Sequence, residues 1–117
     1  MNTRDNENFE YCKRIAEELE QYYNGEITDE ETGETLYLYD YFSDVLDFDI
    51  IINSQFQYSA VKVYVTLGGP TVWIDTYYGT IELRWANEKA CYYVDKDIID
   101  EVNNIWEEYY NSNKGGR

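Results

Sequence analysis

From Tyr58 to Trp85 apolar and polar residues alternate with a period of two, broken at Gly68-Gly69-Pro70 and again at Tyr77-Tyr78-Gly79. That period turns one side of each segment toward a core, and short Gly-rich breaks join such segments as antiparallel neighbours. Strands are therefore predicted over Tyr58 to Leu67 (Val61, Val63, Val65 and Leu67 inward), Thr71 to Thr76 (Val72 and Ile74 inward) and Thr80 to Trp85 (Ile81, Leu83 and Trp85 inward). A β-branched run from Phe48 to Asn53 adds a strand before them, and Ala90 to Val94 a fifth after them. A sheet with one apolar face needs a second layer to cover it.

The cover comes from the two ends of the chain. Phe9, Cys12, Ile15, Ala16, Leu19 and Tyr22 or Tyr23 recur at helical spacing, predicting a helix from about Asn6 to Tyr23 that Gly25 stops. Ile98, Ile99, Val102, Ile105, Trp106, Tyr109 and Tyr110 form the stripe of a last helix, with Asp95 as its cap and Asp97 in its first turn. Thr28 to Thr35 reads as a turn or small hairpin. Leu36 to Leu46 fits both periods and is taken as a helix capped by Thr35. The expected fold is α+β: an antiparallel β-meander of four to five strands packed with N-terminal and C-terminal helices. It forms one domain over residues 1–117, with 1–5 and 111–117 flexible.

Charge is distributed very unevenly over this frame. Ile15 to Val61 contains no Lys or Arg, while residues 17–49 contain twelve Asp or Glu. Residues 1–49 carry 15 acids and 3 bases, net −12, and residues 50–117 carry 9 and 6, net −3, which sum to −15. Solubility alone is served by a net charge of about 2 to 8 on a small domain. The chain is nonetheless built to fold, since 44% of its residues are apolar and 18% aromatic, unlike acidic disordered segments. Such a surface repels nucleic acid and anionic membranes and attracts a basic protein. Met1 to Glu10 is polar and no apolar run approaches the ~20 residues of a membrane span, so a cytoplasmic location is expected. Cys12 and Cys91 lie in apolar patterns with no nearby third ligand and read as two buried thiols.

Catalytic chemistry finds few candidates. The chain has no His, which removes the commonest general base and the usual triads. Asp29, Glu30, Glu31 and Glu34 lack the alternating spacing of a calcium loop, and no metal site or cofactor is expected. Asp75 with Glu82-Leu83-Arg84 resembles the paired acids of a metal-dependent hydrolase, but Arg84 stands where a basic Lys belongs and a guanidinium cannot act as a base. Asp75 and Glu82 are read instead as outward residues flanking a turn. Gly68-Gly69-Pro70 is a turn and no phosphate cradle, because no helix follows it. Tyr22, Tyr23, Tyr37, Tyr39 and Tyr41 divide between core and contact surface.

Acids three or four residues apart on a helix lie about 5–6 Å apart, and Asp47 and Asp49 on one strand face about 6.6 Å apart. Those separations permit imitation of a phosphate backbone. Leu67-Gly68-Gly69-Pro70-Thr71-Val72-Trp73-Ile74-Asp75-Thr76, Gly79 to Trp85, Asp40 to Asp47 and Trp106-Glu107-Glu108-Tyr109-Tyr110 together resemble small acidic proteins of phages and conjugative elements of Gram-positive bacteria. The resemblance spans roughly residues 36–110 and includes anti-CRISPR proteins of type II systems. It implies inhibition of Cas9 or its guide-RNA complex by binding, often on the surface that reads the protospacer-adjacent motif. No binding residues are transferred from the family. On charge, Asp29, Glu30, Glu31, Glu34, Asp40, Asp44, Asp47 and Asp49 are the partner-binding acids, with Tyr37 and Tyr39 as anchors. The expectation is thus a non-enzymatic DNA mimic that binds a basic protein and touches neither nucleic acid nor membrane. The alternatives are an antirestriction or other DNA-mimic protein, and a metal-dependent hydrolase at Asp75 and Glu82.

Overall fold

The alternating segment forms the middle of a five-stranded antiparallel meander, in a computed structural model that describes residues 3–45 and 47–114. In chain order the elements are helix α1 (Thr3–Tyr23), the short strands β1 (Ile27–Thr28) and β2 (Thr35–Leu36), and helix α2 (Leu38–Tyr41) with a 3-10 turn at Phe42–Asp44. Strands β3 (Asp47–Ile52), β4 (Tyr58–Thr66), β5 (Thr71–Asp75), β6 (Thr80–Trp85) and β7 (Glu88–Tyr93) follow, and helix α3 (Lys96–Lys114) closes the chain. Strands β3 to β7 pair in sequence order, so β3 and β7 are the edges, while β1 and β2 make a separate hairpin.

One face of the sheet is apolar, and both long helices pack on it. Val61, Val63, Val72, Ile74 and Ile81 are fully buried there. They meet Cys12, Ile15, Ala16 and Leu19 of α1 and Ile98, Val102 and Trp106 of α3, with Leu38 and Phe42 in the same cluster. Helix α1 lies over β6 and β7, and α3 over β4. Burying each Val or Ile is worth about 1.5–3 kcal/mol, so the sheet face and the two stripes hold one another. Helix ends follow the sequence signals: Asp95 Oδ1 accepts the Asp97 N–H at 2.8 Å, and Gly25 takes φ +71° so that the Glu26 N–H reaches the Gln21 carbonyl at 2.9 Å.

Several expectations are corrected. Thr35 does not cap a helix over Leu36 to Leu46: Thr35 and Leu36 pair with Thr28 and Ile27, and the helix starts one residue after Tyr37. Cys91 is exposed, because Ala90 and Tyr92 take the inward positions of β7. Trp85 and Leu67 are 49% and 53% exposed; Trp85 is the last residue of β6, and Leu67 follows β4 beyond a register shift between Tyr64 and Thr66. Asp75 is 3% exposed and so is no surface residue, since its Oδ1 accepts the Tyr77 and Tyr78 N–H groups at 2.9 and 3.2 Å. Helix α3 runs through Asn111–Asn113, where Asn113 Nδ2 donates to the Tyr109 carbonyl at 2.8 Å, since no breaker precedes Gly115. Leu46 of the expected helix, Met1–Asn2 and Gly115–Arg117 of the expected flexible ends lie outside the described residues.

Two predictions follow from this packing. Trp106 is 5% exposed and its Nε1 has no hydrogen-bond partner among the described residues. Trp106→Ala should lower unfolding free energy by about 3–5 kcal/mol, whereas Trp106→Phe should cost much less, because it also removes an unpartnered buried donor worth about 1–3 kcal/mol. Urea midpoints that fall equally for both variants would contradict this. Burial first, then the charges of Cys91 and Glu82, push the Cys12 thiol from its ordinary 9.0 up to about 12. Stability linked to that neutral thiol is complete below pH 9.0 and is lost as pH rises toward 12. Tyr41 and Tyr58, raised above 10.0 chiefly by burial, add to the loss at higher pH. A thiol reagent should therefore label Cys91 rapidly and Cys12 only on unfolding, and Cys12→Ala should flatten the decline of stability above pH 9.0.

Candidate functional site

The eight candidate acids fall on three consecutive pieces of structure: the β1–β2 hairpin, α2 with its 3-10 turn, and edge strand β3. At the hairpin tip Asp29 Oδ1 accepts the Glu31 and Thr32 N–H groups at 2.7 and 3.0 Å. The Asp29 N–H donates to the Glu34 carbonyl, and the Gly33 N–H to the Asp29 carbonyl, both at 2.8 Å. Asp29 is thus a turn-forming residue, while Glu30, Glu31 and Glu34 are exposed.

Past the hairpin, Tyr37 sits over Gly25: a Cβ there would stand 3.0 Å from Tyr37 Cε1. Only a glycine both permits this contact and holds φ +71°. Tyr37 is nonetheless 55% exposed and Tyr39 72% exposed, whereas Tyr22 and Tyr41 stack edge-to-face at 5.1 Å against the core. The sequence leaves these tyrosines divided between core and surface, and the fold divides them so. Asp40 Oδ2 accepts the Tyr37 N–H at 2.9 Å, satisfying the entry to α2 from the third helical position. Asp44 is exposed on the 3-10 turn.

Asp47 and Asp49 project from β3 on the face away from the helices, since Phe48 and Ile50 between and beside them pack on the core. Register lines Asp47 up with Tyr64, Trp73, Glu82 and Cys91, and Asp49 with Lys62, Asp75, Thr80 and Tyr93. Asp49 Oδ2 accepts the Tyr64 hydroxyl at 3.1 Å, and Tyr64 lies 6.1 Å from Trp73 between ring centroids. Partial burial first, then that bond to Asp49, raises the Tyr64 phenol. Asp47 Oδ1 accepts the Phe48 N–H at 2.8 Å.

The ten candidate residues therefore form two groups, one on the hairpin and α2 and one on the outer face of β3. Among the described residues none of the eight acids has a Lys or Arg within ion-pair distance, and even Lys62, opposite Asp49, does not close on it. By contrast Lys96 and Asp100 on α3 pair at 2.9 Å. Sequence reasoning missed that Tyr64 and Trp73, on the polar parity of their strands, join Asp49 on the outer face. It also missed a cleft of about 510 Å³ lined by Tyr39, Phe42, Phe48, Trp106, Tyr109 and Glu108 among others.

Asp75 and Glu82 are diagonal neighbours on the outer face of β5 and β6. Asp75 faces Thr80 and Glu82 faces Trp73, and Asp75 is held in its turn. Among the described residues no group of three or more Cys, Asp or Glu is arranged to hold a metal ion, and no helix is long and apolar enough to cross a membrane. Comparison with protein-family models, curated proteins and solved structures gives no match.

The division of labour among the acids is testable without any partner. Asp40→Ala should lower stability by about 0.5–2 kcal/mol, and Asp40→Asn, which keeps an acceptor, should cost less. Asp44→Ala should stay within about 0.5 kcal/mol of the parent. Urea titrations in which Asp44→Ala is as costly as Asp40→Ala would show that Asp40 is not holding the entry to α2.

Proposed function

We propose that this chain is a non-enzymatic inhibitor whose acidic half occupies a basic, nucleic-acid-binding cleft of a host defence nuclease, with Cas9 or its guide-RNA complex as the partner the family resemblance implies. The observation that carries the reading is the set of eight carboxylates held on folded elements with no Lys or Arg within ion-pair distance among the described residues. Such carboxylates can meet Arg and Lys of a partner without first breaking internal ion pairs. Planar guanidinium forks suit carboxylates as they suit phosphates, so a cleft that reads a phosphate backbone is open to this imitation.

Preorganisation supports the same reading. Hydrogen bonds at Asp29 and Asp40 fix the hairpin turn and the start of α2, which lowers the cost of ordering these segments in a complex. Exposed Tyr37 and Tyr39 stand beside the acids and offer large contact area at low entropy cost. A net charge of −15 steers encounter with a basic surface.

In a competition assay this chain and duplex DNA carrying the protospacer-adjacent motif should exclude each other from guide-loaded Cas9, and added salt should weaken the complex, because exposed charges are screened over about 8 Å at physiological ionic strength. Reversing Glu30, Glu31, Glu34, Asp44, Asp47 and Asp49 to Lys leaves the two turn-forming aspartates intact and should abolish binding. Reversing Asp100 and Glu101 on α3 should weaken it far less. A stable ternary complex with DNA, or equal loss from both sets, would defeat the reading.

A further inference from the structure

The cleft between the 3-10 turn, β3 and the last turns of α3 has a specific chemistry. Its aromatic walls pack on one another: Phe48 and Tyr109 have centroids 5.4 Å apart at 87°, Trp106 and Tyr109 5.4 Å apart at 70°, and Phe48 and Trp106 4.6 Å apart at 41°. Tyr39 also lines it and is 72% exposed, and the carboxylate-bearing Glu108 shares the lining. Beside these packed rings a groove of about 510 Å³ opens to solvent between the 3-10 turn, β3 and the end of α3.

Aromatic faces carry the negative part of a quadrupole, so a recess walled by several rings attracts an organic cation. Glu108 adds a full negative charge to the lining, and the whole chain adds a field of the same sign. A purely apolar occupant would use the rings and leave this charge unanswered. Among protein side chains arginine fits best, because its guanidinium is planar, stacks on rings and is weakly hydrated compared with an ammonium. We infer that this cleft is a subsite for an arginine side chain of the basic partner, stacked on the exposed rings of Tyr39 and Tyr109 and paired with Glu108. The inference rests on the proposed function for the source of the arginine, and on the cleft alone for its chemistry.

The test uses the whole chain and a small probe, so it is independent of any nuclease. N-acetyl-arginine methylamide should produce saturable shifts of the Trp106 indole and Tyr109 ring signals in two-dimensional NMR. The neutral isostere N-acetyl-citrulline methylamide should bind several-fold more weakly. Glu108→Gln and Tyr39→Leu, both at exposed positions, should each weaken the arginine probe roughly twofold to fivefold, the scale of an exposed cation–π contact. Equal binding of the citrulline probe, indifference to both substitutions, or no saturable shift at Trp106 would each overturn the inference. Binding of the arginine probe with no binding to Cas9 would leave the cleft standing and remove its proposed partner; Cas9 binding without probe binding would do the reverse.

Discussion

The fold depends on one apolar sheet face being covered by two helices at once. Neither helix could cover it alone: α1 spans β6 and β7, α3 spans β4, and Val72 and Ile74 of the central strand lie in the cluster that joins them. A sheet left with this face in water would expose a row of Val and Ile worth several kcal/mol, and each helix without the sheet would expose its own stripe. The aromatic group of Phe42, Phe48, Trp106 and Tyr109 closes the same layer at the end where the acidic segment enters the sheet. Packing and candidate function thus share residues. Phe48 fills the core from an edge strand whose alternate residues, Asp47 and Asp49, face outward.

That sharing explains how so acidic a segment stays folded. Self-repulsion among residues 17–49 opposes compaction, and no cation inside the stretch relieves it. Order is imposed instead by short-range devices: the Asp29 turn, the Asp40 bond at the start of α2, the Tyr37 ring on Gly25, and Leu38 and Phe42 in the core. Asp29 and Asp40 therefore serve the fold, while Glu30, Glu31, Glu34, Asp44, Asp47 and Asp49 stay exposed around them. The outer sheet face is different in kind, since it mixes Asp47, Asp49 and Glu82 with Lys62, Arg84, Tyr64 and Trp73. A basic partner guided to the hairpin and α2 would meet a purely acidic surface there, and a mixed one beyond β3.

Much of the architecture was legible because period-two alternation and Gly-containing breaks are local signals. Val61, Val63, Val72, Ile74, Ile81 and Leu83 are inward as their spacing demands, and the α3 stripe is buried at Ile98, Val102 and Trp106. What failed depended on longer-range terms. Leu36 to Leu46 fits two periods, and the choice was made by pairing of Thr35 and Leu36 with a strand seven and more residues earlier. Leu67 faces outward beyond a register shift in β4 that is invisible in an alternating string, and Cys91 faces outward because its apolar neighbours Ala90 and Tyr92 take the inward positions of β7. For the candidate site, the acids were plain from composition, but the structural roles of Asp29 and Asp40 rest on individual hydrogen bonds. The cleft has walls from residues 39, 42, 48, 106 and 109, which only the tertiary fold brings together.

The central claim is that the chain meets its partner through the cation-free hairpin, α2 and β3. Amide hydrogen exchange, compared for the free chain and for its complex with guide-loaded Cas9, tests this most directly because it maps the contact without mutation. Protection gained over residues 27–52, with little change at β7 and the start of α3, is the predicted footprint. Protection concentrated on residues 88–100, with the hairpin and β3 exchanging as in the free chain, would contradict it.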